Sequence, residues 1–218
     1  MKLGLVSSSI ILGFVVVGCA SGPAGFGGSD AGDGGKPVPV EPDSGTNACA
    51  YPTTDVGAKV GAFVDGTLSW SCAGAPVATE DLFDCDGSKG INAIVFDVSA
   101  EWCAACVAEA TDMKSLAAQY DALGVKFVTL VIQDAGHAPA SLSTASAWKQ
   151  KYNLAVDVCA DPGFAFQPSG SGSLNLPYTL VVDPRTMRIV HVAQGYLSRY
   201  PLAPDQAVVD LAKRNGAK

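Results

Sequence analysis

The chain has 218 residues, of which 48% are hydrophobic and 16% charged, and its formal net charge is −7 at pH 7. That length suits one domain with additions or two small ones, with enough apolar residues for a packed core. The acidic balance offers nothing to neutralise phosphates, which excludes nucleic acid as a partner.

The opening MKLGLVSSSIILGFVVVGCA carries one Lys, an apolar run from Leu3 to Val17, and then Gly18-Cys19. A cationic end, a short apolar stretch and a small residue describe a secretory signal over residues 1–18. The run is too short for a comfortable membrane span. The tetrapeptide VVGC resembles the lipobox of bacterial lipoproteins, which implies cleavage after Gly18 and diacylglycerol on Cys19. An ordinary signal peptide with an incidental cysteine is the alternative. Lipids on Cys19 would hold the mature N-terminus at a bacterial membrane, outside the cytoplasm. Ala20 stands where an Asp would favour inner-membrane retention under enterobacterial rules, so the outer membrane, facing the periplasm, is the expected address. Residues 19–48 are rich in Gly, Pro, Ser and Asp and have almost nothing to bury, so they form a tether. As a flexible coil it would span on the order of 30 Å.

The globular segment, residues 49–218, contains no internal repeat. TLSWSCAGAPVAT reads as two short strands around a Gly turn, an N-terminal hairpin, and TEDLFDCDG as a short capped helix closing at Asp86-Gly87. NAIVFDVS is a compact apolar, β-rich run, as in a strand buried on both faces. CVAEATDMKSLAAQYDALG is helical, with Val107, Ala110, Met113, Leu116 and Ala117 on one stripe and Gly124 ending it. VKFVTLVIQD is a strand, ASLSTASAWKQKYNL a helix, and AVDVCADP a short strand that Pro162 stops. YTLVVDP and RIVHVAQG are strands joined through Asp183-Pro184. APDQAVVDLAKRNG is the closing helix, with Asp205 near its start and Lys213 and Arg214 near its end. Alternation first and a hairpin late give an α/β domain with a mixed sheet flanked by helices.

Between the buried strand and the first long helix stands SAEWCAAC. The order strand, turn, Trp-Cys-Ala-Ala-Cys, helix puts Cys103 at a helix N-terminus. There, unpaired N–H groups and the positive end of the helix dipole stabilise a thiolate. Such cysteines drop from ~8.5 to roughly 3.5–7.5. Cys106 lies one turn further in, on the same face and more buried, within reach for a disulfide. The asymmetry assigns roles: Cys103 attacks a partner disulfide and Cys106 resolves the mixed disulfide.

FDVSAEWCAAC closely resembles the active-site strand and turn of thioredoxins. The wider pattern of a tethered, secreted WCxxC domain is similar to the TlpA/ResA-like branch of that superfamily, from about Val60 onward. The resemblance implies a thioredoxin-like fold and thiol–disulfide oxidoreductase activity. Asp97, six residues before Cys103, matches the family's buried acid, which would help deprotonate Cys106 through a water. A carboxylate inside an apolar strand has a raised pKa and can shuttle a proton; an Asp that merely caps a turn is the alternative. Pro177 matches the family's cis-proline, which would expose the backbone of Leu176 for strand-like pairing with a partner chain. Gly195 fits the family's glycine near the active-site surface. Trp102 shields the dithiol and offers an apolar substrate contact, or is a core aromatic. Glu101 is expected to be solvated, and His137 and His191 to be surface or turn residues. The Ala104-Ala105 spacer departs from the family's common Pro or polar residue and leaves the direction of electron flow open.

Competing chemistries fit less well. Zinc needs four ligands, usually from two close pairs, whereas Cys49, Cys72, Cys85 and Cys159 are scattered singly, so no metal is expected. A c-type haem would need His where Val107 stands, and a copper chaperone a wider spacing with a paired His. A peroxiredoxin-type peroxidase would want a Thr placed before a lone cysteine. A structural CxxC in a non-catalytic lipoprotein remains an alternative. No cofactor is expected, because the Cys103–Cys106 dithiol itself carries two electrons. The other four cysteines, in an oxidising compartment, read as structural disulfides. Of three possible pairings, Cys72 with Cys85 and Cys49 with Cys159 are expected, since Cys72 and Cys85 flank one hairpin–helix unit; free thiols or a resolving role for Cys85 are alternatives. The expected partners of this monomer are protein thiols and disulfides. A reductase of this kind would also draw on an inner-membrane thiol donor, which a short tether on the outer membrane could not reach.

Overall fold

The structure is a computed structural model that describes residues 49–168, 174–196 and 205–218. The leader, the tether up to residue 48 and the expected lipidation site Cys19 lie outside these residues. No helix among the described residues is long and apolar enough to cross a membrane.

In chain order the elements are β1 (Ser69–Cys72), β2 (Val77–Ala78), α1 (Thr79–Leu82), β3 (Ala93–Ser99), α2 (Ala104–Ala122), β4 (Val125–Val131), α3 (Leu142–Tyr152), β5 (Asp157–Ala160), β6 (Tyr178–Asp183), β7 (Arg188–Gln194) and α4 (Gln206–Arg214). Their sheet order is β2-β1-β5-β4-β3-β6-β7. Strands β3, β4 and β5 run parallel, and β6, β7 and the β1–β2 hairpin are antiparallel to their neighbours. This is a thioredoxin-like α/β fold with a mixed seven-stranded sheet and an added N-terminal hairpin.

The central strand explains itself. AIVFDVS in β3 is buried at every position, as a strand covered on both faces requires. Phe96 packs with Trp70 and Phe166, their ring centroids 4.9 to 5.9 Å apart. Helix α2 buries Ala110, Met113, Leu116 and Ala117 as its spacing predicts, while Val107 is only half-buried. Gly124 follows with φ +69, and a Cβ there would stand 2.8 Å from the Gly90 carbonyl and closer still to the Asn92 amide. The turn into β4 therefore needs glycine. A capping box between Ser141 and Thr144 starts α3. Asp205 starts α4, its carboxylate accepting from the Ala207 N–H at 2.8 Å.

Two expectations change. The segment read as a capped helix up to Gly87 is a single turn ending at Leu82, with no side-chain cap. Asp84 instead turns its carboxylate inward, accepting from the N–H groups of Lys89 and Ile91 and pairing with Arg185 at 2.9 Å. Those interactions outweigh burial and hold the carboxyl below its usual range.

The disulfide pairing is also corrected: the bonds are Cys49–Cys85 and Cys72–Cys159. Proximity in sequence favoured Cys72 with Cys85. The hairpin, however, docks through β1 onto β5, and that register sets Cys72 opposite Cys159. Cys85, left beyond α1, meets Cys49 instead. A second N-terminal piece seals the other side of the sheet: Gly61 and Val64 donate to the carbonyls of Ile189 and Met187, and Ile189 donates to Ala62. The start of edge strand β7 is thereby covered.

The buried Cys72–Cys159 bridge closes the longer loop, 87 residues against 36 for Cys49–Cys85. In the chain-entropy limit the Cys72→Ala/Cys159→Ala pair costs about 4–5 kcal/mol and the Cys49→Ser/Cys85→Ser pair about 1 kcal/mol less. Denaturant unfolding of both double variants checks the order.

Candidate active site

Strand β3 delivers the reactive turn. The Cys103 N–H donates to the Ala100 carbonyl at 3.1 Å, folding the chain back on itself, and Cys103 then stands as the N-cap of α2 with extended backbone. Its Sγ accepts from the Cys106 N–H at 3.1 Å. This is the interaction an N-cap oxygen makes in an ordinary helix; here a sulfur takes it. No acidic residue lies in the first turn of α2, so no carboxylate within that turn offsets the positive end of the helix dipole at that sulfur. Cys103 and Cys106 are disulfide-bonded, with Cα atoms 5.2 Å apart. Cys103 retains 7% exposure and Cys106 none. An incoming sulfur can reach only the first.

Asp97 lies two residues before the end of β3, 3% exposed. Its Oδ2 accepts from Ser99 Oγ at 3.1 Å, while Oδ1 has no hydrogen-bond partner. Burial pushes its carboxyl up from 3.8 to about 6, against the lowering effect of contacts to Ser99, Glu109 and Thr129. The capping alternative is set aside: Asp97 is a buried acid inside a strand. Glu109 was not anticipated. It stands three residues after Cys106, so the two side chains share a helix face, and its carboxyl meets that of Asp97. Burial first, then the Asp97 carboxylate and a hydrogen bond to it, then Asp112, push the Glu109 carboxyl well above its usual range. Two carboxyls in contact inside the protein cannot both ionise cheaply, so they share a proton. The available signal was the i, i+3 spacing from Cys106, which the apolar stripe overshadowed. Asp112 extends the group outward by accepting from the Tyr196 hydroxyl at 2.7 Å.

Register brings the other predicted residues to the same end of the sheet. Tyr178 pairs with Val98, so Pro177 lies beside the point where β3 gives way to the cysteine turn. The Leu176–Pro177 bond is cis. Gly195, at φ +72, donates its N–H to the Pro177 carbonyl at 2.8 Å. Trp102 is 43% exposed, which rules out the core-aromatic alternative. Its Nε1–H donates to Gln133 Oε1 at 2.9 Å, and its ring stacks on His137 at 5.0 Å. Glu101 is not simply solvated: Oε2 accepts from the Ala135 N–H at 3.0 Å and fastens the β4–α3 loop. Exposed His137 has φ +66 in that loop, the turn role expected of it; His191 is half-buried on β7. Trp102 and Leu176 flank a cavity of about 270 Å³.

A disulfide between Cys103 and Cys106 at the mouth of a helix, with a cis-proline alongside, on a thioredoxin-like fold, is the arrangement of a thioredoxin-like thiol–disulfide oxidoreductase. The Redoxin family model matches residues 75–208, more than half of the chain, and the chain belongs to that family. No curated protein sequence matches it. Among solved structures, a protein of Sinorhizobium meliloti 1021 is 18% identical with a TM-score of 0.50, over 73% of this chain and 81% of that one. A thiol:disulfide interchange protein of the thioredoxin family from Chlorobium tepidum TLS is 20% identical with a TM-score of 0.49, over 66% and 92%. A secreted Mycobacterium tuberculosis disulfide oxidoreductase homologous to Escherichia coli DsbE is 16% identical with a TM-score of 0.45, over 68% and 96%.

The carboxyl pair makes stability depend on pH. Both groups hold their protons more tightly in the folded protein than in the unfolded chain, so folding takes up protons between about 4 and 6 and beyond. Stability therefore falls as pH rises through that window. Asp97→Asn removes the Asp97 contribution and is expected to stabilise the protein at pH 8 by about 2–3 kcal/mol, with little change at pH 4. Urea titrations at the two pH values measure it.

Proposed function

We propose that the protein exchanges electrons with protein thiols and disulfides outside the cytoplasm, tethered to a membrane through Cys19. The observation that carries the reading is the Cys103–Cys106 couple at the N-terminus of α2 with the Asp97–Glu109 pair behind it.

From the reduced state, the Cys103 thiolate attacks one sulfur of a partner disulfide. A Cys103–substrate bond forms, and the partner's second sulfur leaves as a thiolate. The buried carboxylate pair takes the proton of the Cys106 thiol. Cys106 then attacks Cys103 Sγ, closing the protein disulfide and releasing the substrate's first sulfur. The net change is one disulfide reduced and one formed, two electrons in all. The reverse sequence begins from the oxidised couple, and the proton then returns to Cys106. Leu176, beside cis-Pro177, offers backbone for pairing with the partner chain. Trp102 shields the couple.

Two features support the extracytoplasmic address: the leader and lipobox-like opening, and two further disulfides that fit an oxidising compartment. Membrane fractionation of the wild type and Cys19→Ala tests the anchor. Recovery of both in the same soluble fraction removes it, and inner-membrane recovery of the wild type restores access to a membrane thiol donor.

Insulin reduction driven by dithiothreitol tests the chemistry. Cys103→Ser is expected to abolish turnover, and Cys106→Ser to trap mixed disulfides with substrate. Wild-type rates in both variants would overturn the dithiol mechanism, and peroxide consumption at a comparable rate would favour a peroxidase. For the proton step, Asp97→Asn or Glu109→Gln alone is expected to slow resolution about 10-fold, since the other carboxyl remains. The double variant is expected to slow it 100-fold or more, within the usual range of general-base catalysis. Stopped-flow decay of the mixed disulfide between pH 5 and 9 reads both.

A further inference from the structure

The cavity beside the dithiol has a composition that selects among partner disulfides. Its walls include Trp102, Ile132, Phe164, Leu174 and Leu176. Gln133 contributes an amide, but its Oε1 already accepts from Trp102 Nε1. Among the described residues, no charged side chain lines it. At about 270 Å³ it lies at the small end of the range for ligand sites, roughly 300–1,000 Å³. It suits one large side chain.

Position says whose side chain that is. Trp102 immediately precedes Cys103, and Leu176 immediately precedes the cis-proline. Any substrate sulfur delivered to Cys103 brings its neighbouring residues to these two walls, so the cavity is continuous with the site of exchange. Two residues next in sequence to the lining add a charge requirement. Glu101 adjoins Trp102 and Asp134 adjoins Gln133, and both carboxylates are fixed, accepting from the N–H groups of Ala135 and of Gly136 and Ala138 respectively. An acidic residue beside the substrate cysteine would face these two carboxylates across an apolar wall.

Resting on the oxidoreductase reading, we infer that the preferred substrate is a protein segment whose cysteine is flanked by a large apolar or aromatic residue and not by an acid. Gln133 and His137 are positioning residues for this selection. The hydrogen bond from Trp102 and the stack against His137 hold the indole upright as the cavity's outer wall. The loop carrying them is itself tied to Glu101. Specificity is thus built into the β4–α3 loop, which stands beside the cysteine turn.

The test uses the full chain and three short peptide disulfides in which both neighbours of the cysteine are Phe, Ser or Glu. In the wild type, kcat/KM is expected to be about 10- to 100-fold higher for Phe than for Ser, the range that burial of one large apolar side chain gives. The Glu peptide should be slower still. Trp102→Ala and Leu174→Asn should bring the Phe-to-Ser ratio close to one, and His137→Ala should lower it part of the way. Inhibition by redox-inert peptides with Ser in place of Cys gives a binding readout free of sulfur chemistry, and the Phe version alone should compete. Equal kcat/KM for the three disulfides in the wild type, or a Phe preference that survives Trp102→Ala, overturns the selection while leaving the oxidoreductase reading intact. Failure to turn over any of the three sinks that reading and this inference together.

Discussion

The N-terminus of α2 is the constraint on which the site depends. A helix begins with backbone N–H groups that lack intrahelical partners, and in this protein a sulfur answers one of them: Cys103 Sγ accepts from the Cys106 N–H. The N-cap position leaves Cys103 at the protein surface and buries Cys106 in the first turn. It also places developing negative charge on Cys103 where the helix dipole favours it. The rest of the fold holds this junction still. Strand β3 is buried along its whole length, β4 and β6 pair with it on either side, and α2 packs its apolar stripe inward.

Behind the sulfurs, the protein accepts an unfavourable arrangement. Asp97 and Glu109 are two carboxyls buried in contact, and each leaves one oxygen without a hydrogen-bond partner. An apolar pair at these positions would be more stable. Under the proposed mechanism, the pair provides a group that holds a proton near neutral pH for a thiol that must lose one. The partial satisfaction of Asp97 by Ser99 keeps its carboxyl near 6 and not higher. The surface beside Cys103 is organised on a different principle, with an apolar cavity and a fixed indole. In the proposed scheme, proton handling falls to the carboxyl pair and partner selection to the cavity.

Most of the secondary structure could be read from local pattern. The buried run of β3, the stripe of α2, the glycine after it and the start of α4 all rest on neighbours in sequence and on the periods of helix and strand. The cysteine motif and Asp97 were legible for the same reason, since six residues along one strand and turn carry both. Short pieces were less legible. The turn after β2 holds only four residues of helix, because Asp84 forms better interactions with Arg185 and two backbone N–H groups from distant segments than a longer helix would offer.

The amino-acid sequence by itself determined the CxxC pair, its place at the start of a helix and the class of fold, because each follows from residues close together in the chain. The tertiary structure decided what depends on strands meeting. It paired Cys72 with Cys159 by docking the hairpin on β5, and sent Cys85 to Cys49. It brought Glu109 of α2 against Asp97 of β3, and moved Trp102 out of the core to stand between Gln133 and His137. Contacts of that kind depend on register and on helix placement, which arise when the whole core packs and leave little mark on any local stretch of sequence.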